Sequence, residues 1–200
     1  FVLTPGANGA AASYTASGSP FNDAYRYIDW LLTVPLLTAE LIAVMAITGA
    51  KKTSLTIRLA GAAALMVALG YPGEIASDIG TRTIWGVIST IPFLYIVYEL
   101  FVGLGPAIQQ EKGNVKGILS NVRWLMLATW GFYPIVYSIP LLTGGAKLSA
   151  TAVIAVQVGY CIADVLAKCG YGVIIYNIAR LKSEGEPVTA AGTYAPASGD

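Results

Sequence analysis

Histidine is absent from the 200 residues, and charge is scarce: Asp, Glu, Lys and Arg together make up 12% of the chain. The first absence leaves any proton chemistry to carboxylates, tyrosines and lysines, because no side chain that titrates near neutrality remains. The second excludes an ordinary soluble domain, in which charged residues make up about a quarter. A net charge of +1 supplies no basic field of the kind that nucleic-acid binding needs. Cysteine is limited to Cys161 and Cys169, eight residues apart on one apolar segment. Helical rise separates them by about 12 Å, beyond disulfide reach, so they read as small buried hydrophobes. The first residue is Phe1, not Met, and the first 20 residues carry no signal-peptide pattern and no long apolar run. The chain therefore reads as a fragment lacking an N-terminal part, or as a processed product.

What is present is apolar surface. Hydrophobic residues make up 56% of the chain and the mean hydropathy is +0.65. Five segments are long and apolar enough to cross a bilayer, over 24–49, 53–71, 83–105, 122–143 and 148–180. The short links between them, such as "TGAKKTS" and "QQEKGNVKG", predict antiparallel neighbours in an all-α membrane bundle. Residues 183–200 change composition sharply and read as a disordered tail. Loop charge gives an orientation. Lys51, Lys52, Arg58, Lys112, Lys116, Arg123, Arg180 and Lys182 fall on one side, against Arg82 and Lys147 on the other. The positive-inside rule then makes the C-terminus cytoplasmic.

Charges inside the spans call for a reason. In "RYIDWLLTVPLLTAEL", Asp29 and Glu40 share a helix face about 16 Å apart along the axis. Arg26 lies one turn outward of Asp29, and Thr33 one turn inward. In the last span Asp164 and Lys168 are four apart and face the same way. Intramembrane ionisable groups mark function by default, although a buried ion pair that only fixes packing gives the same pattern. A desolvated lysine can form a Schiff base with a carbonyl compound, for which Asp29 and Asp164 are available as counterions. Trp30, Trp85, Trp130, Tyr133 and Tyr160 fall in the membrane interior, with Phe93 near them in depth. Core packing explains any one of them; together with the lysine they point to a flat apolar chromophore.

These stretches resemble the microbial rhodopsins, retinal-binding seven-helix proteins. "RYIDWLLTVPLL" is similar to their helix C, "WGFYP" to helix F and "DVLAK" to helix G, a pattern covering nearly all of residues 21–180. The resemblance implies a seven-helix rhodopsin bundle of which five helices, C to G, are present, with residues 1–20 as the extracellular B–C loop, often a hairpin. It implies all-trans retinal on Lys168, counterions at Asp29 and Asp164, and Arg26 organising water outside them. Trp30, Trp85, Phe93, Trp130, Tyr133, Pro134, Tyr137 and Tyr160 are the implied pocket residues. The triplet Asp29, Thr33, Glu40 matches the proteorhodopsin-type outward proton pumps, with Asp29 as proton acceptor and Glu40 as an apolar-enclosed donor. A sensory photoreceptor is the alternative, and it has no need of Glu40.

Leu37 matches a spectral-tuning position at which Leu accompanies green absorption. Gly86 matches the glycine that admits a carotenoid antenna in xanthorhodopsin-like pumps, although close helix packing also favours glycine. Val156 replaces a glutamate that bacteriorhodopsin-like pumps use for fast proton release. Glu74 and Asp78 read as solvated loop residues, and Glu99 as a polar helix-end residue. The implied setting is a bacterial plasma membrane, with the lipid bilayer, protons, retinal and a homo-oligomeric assembly as partners.

Overall fold

In the computed structural model, residues 2–4, 13–15, 22–142 and 150–185 are described. The reading of 186–200 as a tail lies outside them, while 183–185 belong to the last helix. Strand β1 (Val2–Thr4) pairs antiparallel with β2 (Ser13–Thr15). The rest is helical. The order is α1 (Ala24–Val44), α2 (Gly49–Glu74), α3 (Ile79–Tyr98), a π turn (Glu99–Gly103), α4 (Gly105–Gln110) and α5 (Gly113–Leu142). Then come α6 (Ala150–Val165), a second π turn (Leu166–Gly170) and α7 (Tyr171–Gly185). Five stretches are long and apolar enough to span a membrane: α1, α2, 79–110, α5 and 154–184.

The ends of these helices follow local chemistry more than hydropathy. Helix α1 stops at Val44, where Met45 turns extended, and α2 begins at Gly49, whose φ of 61° suits a residue without Cβ. Helix α5 begins at Gly113 (φ 55°), nine residues before the apolar stretch that predicted it. Its first turns are polar, so hydropathy misses them. At 30 residues it is about 45 Å long, more than the roughly 30 Å hydrocarbon core. Prolines 35, 72, 92, 134 and 140 lie inside helices, and hydroxyls donate to nearby carbonyls: Thr38 to Pro35 O and Ser138 to Pro134 O, each at 2.7 Å.

Helix α1 packs on α2 and α2 on α3; α5 joins α3 to α7, and α7 returns to α1. The two halves of this ring differ. The fully buried side chains, including Leu41, Ile42, Leu59, Ile96, Leu100, Leu119, Met126, Tyr171 and Ile178, gather toward the Glu40 end. The other half encloses a cavity. Cys161 and Cys169 are free, as expected, but exposed, not buried. In lipid an apolar outer face needs no burial, so a small thiol gains nothing by facing inward.

Candidate functional site

Lys168 sits at the centre of the second π turn, a distortion frequent at functional sites. Its Nζ donates to the Asp29 carboxylate of α1 and lies 3.7 Å from Asp164 Oδ1 of α6. Asp164 Oδ1 also accepts from Trp30 Nε1 at 3.0 Å and from Tyr133 Oη at 2.6 Å. One amine therefore lies between two carboxylates of unlike surroundings. Asp164 is tied into the aromatic wall, whereas the Asp29 side chain is 47% exposed. The Thr33 hydroxyl donates to the Asp29 backbone carbonyl at 2.8 Å. Arg26 reaches Asp23 at 3.0 Å and Gln157, and its guanidinium stacks 4.1 Å from the Tyr160 ring. Burial pushes the Asp23 carboxyl above its ordinary value, opposed by Arg26 and Arg82.

Beside Lys168 lies a cavity of about 420 Å³, within the range of small-ligand sites. Trp30 and Leu37 of α1, Gly86 and Phe93 of α3, and Trp130, Tyr133, Pro134 and Tyr137 of α5 line it, with Tyr160, Asp164 and Lys168. Its aromatic corner is interlocked: Trp30 meets Tyr133 edge-on at 4.7 Å, and Tyr133 stacks on Tyr160 at 5.7 Å. Trp85 is not on this wall. It precedes Gly86 by one position, and its Cβ lies against Gly73 of α2. A Cβ on Gly86 would stand 2.7 Å from the Tyr137 ring, so the glycine is required by packing.

Four carboxylates depart from the sequence reading. Glu40 is exposed, not enclosed: it lies on the face of α1 with exposed Leu32 and Leu36. Glu74 is no solvated loop residue. It pairs with buried Arg82 at 2.8 Å, and Arg82 also donates to Tyr137 O at 3.3 Å while Tyr137 Oη donates to Arg82 O at 2.7 Å. Glu99 is buried and opens the first π turn, accepting from Tyr95 Oη at 2.8 Å with Arg58 at 3.5 Å. Glu111, assigned no role from sequence, is buried and accepts from Ala46 N and Lys182 Nζ, both at 2.7 Å. Asp78 does stay at the surface, where its side chain caps α3 through Thr81 N at 2.7 Å. That bond holds its carboxyl below the usual carboxylate range. Sequence reasoning also named no α2 residue for the cavity, yet Met66, Val67 and Gly70 line it. Small and apolar residues carry no signal that separates lining from packing.

The comparisons agree with this architecture. The bacteriorhodopsin-like protein family matches residues 7–181. Green-light absorbing proteorhodopsin of Gamma-proteobacterium EBAC31A08 is 31% identical over 164 residues, covering 80% of this chain and 62% of the relative. Bacteriorhodopsin of Halobacterium salinarum is 30% identical over 176 residues, covering 88% and 64%. The chain thus spans a little over three fifths of these relatives' length. Among solved structures, xanthorhodopsin, described as a light-driven ion pump with dual chromophore, superposes with a TM-score of 0.79 at 54% identity, covering 86% of this chain and 68% of that one. Thermophilic rhodopsin gives 0.79 at 46% identity, covering 86% and 69%. With a family match over most of its length and five of the seven rhodopsin helices in place, the chain belongs to the bacteriorhodopsin-like family.

Proposed function

We propose that this chain forms the chromophore-bearing part of a light-driven outward proton pump of the plasma membrane, with the C-terminus of α7 on the cytoplasmic side. The observation that carries the reading is the Lys168 amine, held between Asp29 and Asp164 at the wall of an apolar aromatic cavity. The residues fit retinal: one amine for its carbonyl, two carboxylates for the resulting cation, and apolar walls for the polyene. Retinal bound through Lys168 supplies light absorption and an isomerisation that re-aims the proton-bearing nitrogen.

The remaining work belongs to side chains of this chain. Asp29, beside the lysine nitrogen, accepts its proton. Asp164, restrained by Trp30 and Tyr133, stays in place as the second counterion. Glu40, three turns along α1 from Asp29, returns a proton from the opposite end. Separate acceptor and donor on opposite sides of one nitrogen give the transport its direction. Leu37 on the cavity wall tunes colour. A carotenoid antenna against α3 is the finer part of the reading. It is supported by the dual chromophore of the similar xanthorhodopsin; excitation of an added hydroxylated carotenoid should then yield energy transfer to retinal, and no transfer would remove this part of the reading. Assembly as a homo-oligomer belongs to the same proposal.

The deciding experiment expresses the complete protein with retinal and records external pH under illumination. Acidification that a protonophore abolishes is the expected result. A normal visible band with no pH change favours the photosensor instead.

A further inference from the structure

Tyr171 is the largest fully buried side chain of the molecule's described residues, and its position is unusual in three respects. Its backbone N–H closes the π turn that carries Lys168, bonding to Leu166 O and Lys168 O. Its hydroxyl crosses to α1 and donates to the Leu37 carbonyl at 2.5 Å. That carbonyl is the normal helical partner of the Leu41 amide. A side-chain hydroxyl thus stands at the Leu37–Leu41 rung of α1, within one turn of Glu40 along the helix. Leu37 lines the cavity on one side of this rung, and fully buried Leu41 and Ile42 fill the other.

Resting on the pump reading above, we propose that Tyr171 is a positioning residue. Its hydroxyl fastens the π turn of Lys168 to α1 at the boundary between cavity and solid core, and so governs proton return from Glu40 to the lysine nitrogen. Leu37 lies between Glu40 and Asp29 along α1, so this rung borders the way from the donor to the lysine that Asp29 meets. The other hydroxyl among the fully buried side chains, Thr38, is committed to Pro35 O on its own helix. A tyrosine hydroxyl both donates and accepts, so it can exchange its Leu37 bond for one to an entering water without leaving a buried group unpaired. Loss of that hydroxyl leaves the ring and its packing, but frees the π turn from α1.

The test compares wild type and Tyr171→Phe in the complete protein. Without retinal and in the dark, amide hydrogen exchange at residues 166–171 should quicken about tenfold in the variant, while α2 and α3 stay unchanged. With retinal, flash absorption should show the lysine nitrogen losing its proton at the wild-type rate and regaining it about tenfold more slowly. A return rate within twofold of wild type overturns the proposal. A wild type that takes up no retinal removes the pump reading, yet the exchange data still decide whether Tyr171 ties the turn to α1. If Tyr171→Phe fails to fold, light-minus-dark infrared spectra of wild type with carbonyl-labelled leucine replace it. Label and tyrosine O–H bands must change in step with proton return, and unchanged bands overturn the proposal.

Discussion

Asp29 and Asp164 both reach Lys168, yet they are held in unlike ways, and the difference separates what each substitution does. Asp164 Oδ1 accepts from an indole and a phenol besides facing the amine. Asp164→Asn therefore disturbs three partners at once, and an amide cannot accept as a carboxylate does. The loss is about 1–3 kcal/mol of stability, together with weaker retinal uptake, read by thermal unfolding and by the yield of the visible band. The Asp29 carboxylate meets the Lys168 amine and is nearly half exposed. Asp29→Asn should fold and take up retinal at close to the normal yield, shift the visible band to the red through loss of a counterion, and no longer take the lysine's proton after a flash. Normal deprotonation in that variant would rule Asp29 out as acceptor. Lys168, Asp164 and Asp29 were legible in the sequence because a four-residue spacing fixes one pair on a face and membrane depth aligns the other. Trp85 and Gly86 show the limit of that legibility. Adjacent residues on a helix point about 100° apart, and depth alone does not say which of them faces the cavity.

Two five-residue π turns interrupt the helical spans, each at a charged residue: Glu99 opens one and Lys168 centres the other. Neither was visible in the apolar periodicity, because a π turn shifts the register of one stretch without changing its composition. The first turn shows how tightly such a site is fitted. A Cβ added to Gly103 would collide with the Glu99 carboxylate, whose Cδ would lie 2.9 Å away. Glu99 cannot simply swing aside, since Tyr95 Oη and Arg58 hold it. Gly103→Ala is thus expected to destabilise by about 1–3 kcal/mol, as overpacking does, despite the helix-forming advantage of alanine. In a Glu99→Ala background the obstacle is gone, and the same glycine substitution should be neutral or slightly stabilising. A double-mutant cycle on thermal unfolding measures this coupling, and additive effects would show that the carboxylate is not what reserves the glycine.

Across the whole bundle, burial in lipid supplies little drive for helix association, so packing and polar ties between helices carry more of the specificity. Apart from those around Lys168 and Tyr171, such ties gather at the two ends. Arg82, Glu74 and Tyr137 join α2, α3 and α5 at the Asp23 end, and Glu111 joins three segments at the other. The sequence placed Glu111 in a link between spans, with no hint of its partners, because these come from 65 and 71 residues away in the chain. Such pairings depend on the relative heights of helix ends, which no local pattern encodes. Glu111 Oε1 takes both bonds, from the Ala46 amide after α1 and from Lys182 on α7. Its removal leaves a backbone N–H without its acceptor and a lysine without its counterion. Glu111→Ala should cost about 1–3 kcal/mol, and the loss should appear as faster amide exchange at Ala46 and along the last turns of α7, with the Lys168 region unaffected. Lys182→Met alone should cost less, because Lys182 is partly exposed and its charge is partly screened. In the Glu111→Ala background Lys182→Met should add almost nothing, since its partner is already gone. Equal costs of Lys182→Met in the two backgrounds would show that the two residues act independently, and that Glu111 ties this end through Ala46 alone.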